Sequence, residues 1–193
     1  ARFNVIKLHQ EEIIRELRNN LAVAETGKGT GVIRMAMEHH DPKQLAALLS
    51  QTLDARVTVL APTANLLAHV PSGERISALA GSAESVPLPD STVDAIVVTD
   101  AFHHFRDQRA AASEFARVTR PEGAVLVLAL DPRPRGIRLV ALAERLVGEP
   151  GAFMTPEQMC AFMAERGIPG ECVAEKGASY RFLGSVKKPW PAA

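Results

Sequence analysis

The chain carries no excess of charge of either sign: 22 Lys and Arg are offset by 22 Asp and Glu over 193 residues. This balance supplies no electrostatic pull toward nucleic acid or an acidic membrane surface, so neither is expected as a partner. Long apolar runs are missing too. The longest, Ala124 to Leu130, falls far short of a bilayer's thickness. The opening residues, ARFNVIKLHQEE, lack the basic, apolar and small-residue sections of a secretory leader. Two cysteines, Cys160 and Cys172, are too few for a disulfide framework, and a cytoplasmic location is the expectation. No internal repeat and no low-complexity segment interrupts the chain. What is present is an ordinary globular mixture, 47% apolar and 23% charged, at a length that suits one domain with a sizeable core.

Periodicity divides the chain into alternating elements. Ile13, Ile14 and Leu17 predict a short amphipathic helix over 9–19, within a helical extension spanning 1–20. Leu21 to Ala24 reads as a buried strand, followed by a glycine-rich turn and a helix over 31–38. Asp41, Pro42 and Gln44 form a cap, first-turn proline and capping-box partner for a helix over 42–53 with Leu45, Leu48 and Leu49 on one face. Further strands are expected at 56–61, 75–81, 94–101, 124–130, 171–177 and 179–188. Helices are expected at 64–70, 108–119 and 136–147. Thr155, Pro156 and Gln158 repeat the capping pattern for a last helix, stopped at Gly167. The run DAIVVTDA is apolar almost throughout, as a strand covered on both faces requires. This alternation predicts an α/β fold with a doubly wound sheet, and residues 189–193 form a tail whose Trp190 packs on the body.

Residues 21–31, LAVAETGKGTG, carry the most chemical information. Glycines alternating at a strand-to-helix turn let the backbone bend sharply and let a ligand approach it closely. Glu25, at the strand end, is placed to accept hydrogen bonds from ammonium or hydroxyl groups. The order E-x-G-x-G-x-G resembles the first motif of the class I S-adenosylmethionine (SAM)-dependent methyltransferases, of the type that act on small molecules. Segments 81–107, 114–130 and 153–168, followed by FLGSVKKP, resemble successive parts of the same family, including its L-P-D turn. The resemblance covers residues 20–188. It implies a Rossmann-like, mostly parallel seven-stranded sheet with helices on both faces, an antiparallel last strand and a single methyltransferase-like domain. The cofactor would lie across the carboxyl ends of the strands.

Carried over residue by residue, Glu25, Gly27, Gly29 and Gly31 would line the methionine and ribose of SAM. Ala61, Ser82 and Ala83 would meet the adenosine, and Thr99 and Asp100 would lie near the transferred methyl. Phe102, His103 and His104 would follow on a loop facing the acceptor, with Asp100 and His103 as the candidate catalytic groups. Three positions depart from the family. Ala61 stands where an acidic residue holds the ribose hydroxyls, Ser82 stands where an Asp bonds adenine, and Lys28 sits inside the glycine loop. Glu122-Gly123 also replaces a common pair of glycines.

Competing readings attach to the same residues. Adjacent histidines, His39-His40 and His103-His104, chelate poorly, and no spacing suits a metal, so none is expected. His39 and His40 suit a helix end, and His103 and His104 suit packing under the sheet edge. Asp100 also reads as a strand-end residue bonding nearby amides, and Asp94 as a tie between the loop before the fourth strand and backbone amides. Two functions follow. In the first, SAM donates a methyl group to a small-molecule acceptor. In the second, a methyltransferase-like domain has lost catalysis and binds another ligand or a protein partner. An NAD-dependent oxidoreductase fits less well, because its acidic ribose clamp is equally missing. A small acceptor would need a cover from the N-terminal helix, the 42–53 helix or a second copy of the chain, so a homo-oligomer is one expectation.

Overall fold

Short runs rich in Val, Ile and Leu, each closed by Gly, Pro, Ser or Asp, pair into a sheet because each has two backbone edges to satisfy. The computed structural model describes residues 31–36, 56–62, 74–99, 101–138, 142, 151–175 and 177–187. Its strands are β1 (Gly31–Ala36), β2 (Arg56–Ala61), β3 (Ile76–Ala80), β4 (Val93–Thr99), β5 (Thr119–Leu130), β6 (Gly170–Ala174) and β7 (Ser179–Ser185). They form a seven-stranded sheet in the order β3-β2-β1-β4-β5-β7-β6. The pairs from β3 across to β5 are parallel. Strand β7 is antiparallel to both β5 and β6.

Among the described residues, helices α1 (Gln108–Val118) and α2 (Pro156–Ala164) flank this sheet. Asp107 caps α1 by accepting from the Ala110 amide at 3.0 Å. Thr155 and Gln158 close a reciprocal capping box on α2, with Pro156 in its first turn. Gly167, at φ 74°, ends that segment in the left-handed region. Phe115 of α1, Met159 and Met163 of α2 and Ile96, Val98, Val125, Val127 and Phe182 of the sheet share one core, so both helices lie on the same face. The alternate residues Ala95, Val97, Leu126 and Leu128 are buried as well, so β4 and β5 are covered on both sides. Helical backbone also occurs at 135–138, overlapping the start of the helix expected over 136–147.

The amino-terminal wing corrects one expectation. Residues 31–36 are not the start of a helix but the central strand β1, paired with β2 on one side and β4 on the other. A short apolar run with two β-branched residues, Val32 and Ile33, satisfies either periodicity, and pairing on both edges decides for the strand. The strand expected at 21–24, the turn through Thr30, the helices at 9–19, 42–53 and 64–70, and the tail at 189–193 lie outside the described residues.

An ion-pair network fixes the L-P-D turn. Arg117 bonds Glu114 at 2.6 and 2.8 Å and Asp90 at 2.7 Å, and also reaches the carbonyls of Val86 and Leu88. Glu114 accepts from the Val86 amide at 2.8 Å. Helix α1 thereby holds residues 86–90 through one guanidinium. Hydrogen bonding to Arg117 keeps the Glu114 carboxyl below its usual range despite partial burial.

Candidate functional site at the carboxyl edge of the sheet

Strand order reverses between β1 and β4. Successive strands β1, β2 and β3 run outward one way, and β4 and β5 run the other. A parallel sheet opens a crevice at the carboxyl ends of the strands at such a switch point. Ala36 pairs with Thr99 there, and Ala61 pairs with Ala80 on the outer strands. The chain then continues through Gly81, Ser82 and Ala83 on one flank and through Ala101 and the single 3-10 turn Phe102–His104 on the other.

Thr99 is buried at the end of β4. Ser82 brackets a tight turn, its carbonyl accepting from the Ser85 amide at 3.2 Å. A Cβ on Gly81 would lie 2.7 Å from Cδ of Pro87, so this glycine serves close packing of the post-β3 turn. Ala83 is buried in the core, leaving its backbone as the part that can meet a ligand. Glu84 turns away to the other flank, accepting from the Arg106 amide at 3.0 Å. Ala61 ends β2 without a side-chain acceptor.

Two residues differ from their expected roles. Phe102 does not face an acceptor: it is 1% exposed and meets the rings of Phe105, Phe115 and Phe162 at 5.5, 6.4 and 6.0 Å. Gly31 does not border the crevice, because it pairs with Arg56, the first residue of β2, at the amino edge of the sheet. The residues after Ala36 are Met-Glu-His-His, without a glycine. Glu25, Gly27, Gly29, Lys28 and Asp100 lie outside the described residues. Asp94, expected to bond amides, pairs with Arg120 at 2.5 Å.

His103 is buried in a stack, its ring 4.3 Å from Phe153 and 4.0 Å from His104. The segment before α2 is laced onto this turn. The Ala152 amide donates to the His103 carbonyl at 2.8 Å. The Gln108 side-chain amide donates to the carbonyls of Phe102 and Ala152 at 2.9 and 2.8 Å. Tyr180 donates to the Met154 carbonyl at 2.9 Å, and burial raises its phenol above the usual range. Residues 151–155 therefore close over the β4 flank. Sequence reasoning missed Gln108, Phe153 and Tyr180, since each acts through contacts made 26 or more residues away or across the fold. Among the described residues no group of three or more His, Cys, Asp or Glu is arranged to hold a metal ion.

Around the carboxyl edge stand small or hydroxyl-bearing residues that leave room for a ligand such as SAM: Ala61 at the end of β2, Ser82 and Ala83 after β3 and Thr99 at the end of β4. No described residue at the end of β2 or in the turn after β3 offers a free carboxylate to ribose, because Glu84 is committed to the Arg106 amide.

Residues 25–127 match the family model described as "Methyltransferase domain". A demethylmenaquinone methyltransferase from Thermus thermophilus is 30% identical over 122 residues, covering 57% of this chain and 55% of that protein. The uncharacterized methyltransferase YcgJ of Bacillus subtilis is 46% identical over 48 residues, 25% of this chain and 19% of that one. The chain thus spans about half or less of the length of these curated relatives. The solved YcgJ structure superposes with a TM-score of 0.69 at 16% identity, covering 90% of this chain and 99% of that one. A SAM-dependent methyltransferase from Aquifex aeolicus superposes at 0.69 and 14% identity, covering 92% and 89%. At such identities the superpositions establish a shared fold, a Rossmann-like methyltransferase sheet.

Proposed function

This chain belongs to the methyltransferase domain family, and we propose that it transfers a methyl group from SAM to a small-molecule acceptor. The observation that carries this reading is the switch-point crevice at Ala36 and Thr99, within the segment that matches the family. Bound there, SAM supplies an electrophilic methyl group on a positively charged sulfur. The chain's own task is then alignment and exclusion of water, which needs no strong base. In this reading Ser82 and the backbone of Ala61 and Ala83 hold the adenosine, and Thr99 and Asp100 border the methyl. Glu25, Gly27 and Gly29 hold the amino-acid end. The stacked His103 and Phe153, fastened by Gln108, form the wall that orients the acceptor. The small-molecule class of acceptor rests on the relative named for demethylmenaquinone. No helix among the described residues is long and apolar enough to cross a membrane.

A second reading is favoured by specific residues. Ala61 and Ser82 remove two acidic contacts, and Gly31 opens β1 at the edge away from the crevice. Such a domain would keep the fold and bind another ligand or a protein. Calorimetric titration with SAM and S-adenosylhomocysteine separates the two. Ligand at about 100 times its dissociation constant adds about 2.7 kcal/mol of stability, an evident thermal shift. Gly29→Val should abolish that shift and leave the melting of the free protein intact. A flat response from the unmutated protein would remove the enzyme reading and leave the fold.

A further inference from the structure

Cys160 lies in α2 and Cys172 in β6, twelve residues apart in sequence, and their Sγ atoms stand 2.8 Å from each other. Both are free thiols and both are half-buried, so the pair is neither sealed in the core nor widely exposed. No disulfide framework was expected from two cysteines, and it is the packing of α2 on β6 that brings them together. Cys172 Sγ also donates to the Pro156 carbonyl at 3.1 Å, at the first turn of α2. Their neighbours are apolar: Cys160 and Cys172 border the core that holds Met159, Met163 and Phe182. The two sulfurs already touch, and closing the bond asks them to approach by under about 1 Å.

We propose that Cys160 and Cys172 are a thiol–disulfide exchange site that small-molecule disulfides, such as oxidised glutathione, convert to an intramolecular disulfide. Burial pushes the Cys172 thiol well above its usual range, which leaves Cys160 as the attacking group. The Cys160 thiolate attacks one sulfur of glutathione disulfide, forming a mixed disulfide and expelling a glutathione thiolate. Cys172 then attacks Cys160 Sγ and gives up its proton. The bond to glutathione breaks, and the second glutathione leaves as a thiolate that takes a proton. In sum, two protein thiols are oxidised while one glutathione disulfide is reduced to two glutathiones. The new bond staples α2 to β6. It also removes the thiol proton that Cys172 donates to the Pro156 carbonyl, at the first turn of α2 and directly after the segment fastened to His103 and Tyr180.

The test incubates the folded full chain with oxidised glutathione, blocks remaining thiols and digests without reductant. Trypsin cuts after Arg145, Arg166 and Lys176 place the cysteines on separate peptides, 146–166 and 167–176. The expected result is one peptide pair joined by a bond that dithiothreitol breaks, with an upward thermal shift of roughly 5–10 °C. Cys160→Ser and Cys172→Ser should each abolish both the cross-link and the shift, and Cys160→Ala repeats the first test where the serine unsettles packing. Two thiols still titratable after excess oxidant would overturn the proposal. So would a persistent glutathione adduct on Cys160, or cross-links formed only between molecules.

Discussion

The two wings of the sheet are held by different means. From β4 across to β7, most strand residues are buried, two helices cover one face, and Arg117, Gln108 and Tyr180 tie distant loops together. Strand β3, at the other edge, has no fully buried residue: Ile76 and Leu79 are partly buried, and Ser77, Ala78 and Ala80 are open to solvent. The β2–β3 pair adds a Thr58–Ser77 hydroxyl contact at 3.0 Å, itself solvent-exposed. Ala61 and Ser82, which the resemblance would place beside the adenosine, lie on this second wing. The comparison teaches that packing and long-range polar ties concentrate on the wing from β4 to β7, whereas the β3 edge is open to solvent.

Core truncation should reveal the largest contrast. Phe115 is fully buried and lies 6.4 and 6.2 Å from the rings of Phe102 and Phe105. Phe115→Ala is expected to cost about 3–5 kcal/mol, read from urea denaturation. Leu79→Ala, on the edge strand where the side chain is only partly buried, should cost below about 2 kcal/mol. Equal losses would show that β3 is as firmly packed as the helical wing.

Adding an acidic group to the open wing comes next. Ala61→Asp should tighten SAM by up to about 3 kcal/mol if the ribose still sits at the end of β2. Ser82→Asp probes the adenine end separately. Weaker binding in both variants, measured by calorimetry, would show that this flank has been remodelled for a different ligand.

The Arg117 network tests the well-held wing from its surface. Arg117→Ala leaves Glu114 unpaired beside the Val86 amide and frees the turn at 86–90, at an expected cost of about 2–3 kcal/mol. The pH dependence has a definite sign. Glu114 titrates below its unfolded value when paired, so its contribution is full above that value, near 4, and is lost as pH falls through the folded one. The variant should therefore lose stability less steeply on acidification than the wild type. Parallel acid-unfolding curves would mean that the ion pair adds nothing.

Much of the helical wing was legible because its signals are local. Asp107 before α1, the Thr155–Gln158 box of α2 and the apolar run of β5 each specify their element from neighbouring residues. β2 likewise spans the expected 56–61. Strand β1 was misread because Val-Ile-Arg-Met-Ala suits a helix as well as a strand until β2 and β4 are present on both sides. The crevice was legible as a place, through strand alternation, and less so as a set of side chains. Phe102 reads like a loop residue facing a ligand, yet three aromatic rings from α1, α2 and the following turn draw it into the core. The reach of Gln108 to Ala152, 44 residues on, has no trace in local pattern.

The smallest expected effect lies at the irregular start of β5. Glu122 has φ 62°, in the left-handed region that glycine adopts freely and other residues adopt at a cost. The resemblance places a glycine pair here, and the two positions are not equivalent. A Cβ on Gly123 would lie 2.8 Å from the Asp94 carbonyl and 2.5 Å from Thr119 Cγ2, so that glycine answers a steric need. Glu122 faces solvent and spends its carboxylate on Lys187 and Ser185. An exposed pair of this kind adds little stability. Glu122→Gly should therefore raise the melting temperature by about 1–3 °C, the relief of φ outweighing the lost pair and the added freedom of the unfolded chain. Glu122→Ala keeps the strained φ and loses the pair, so it should melt at or slightly below the wild type. Gly123→Ala should melt well below all three. If Glu122→Gly instead melted lower than Glu122→Ala, which lacks the pair as well, the freedom that glycine adds to the unfolded chain would outweigh the relief of φ.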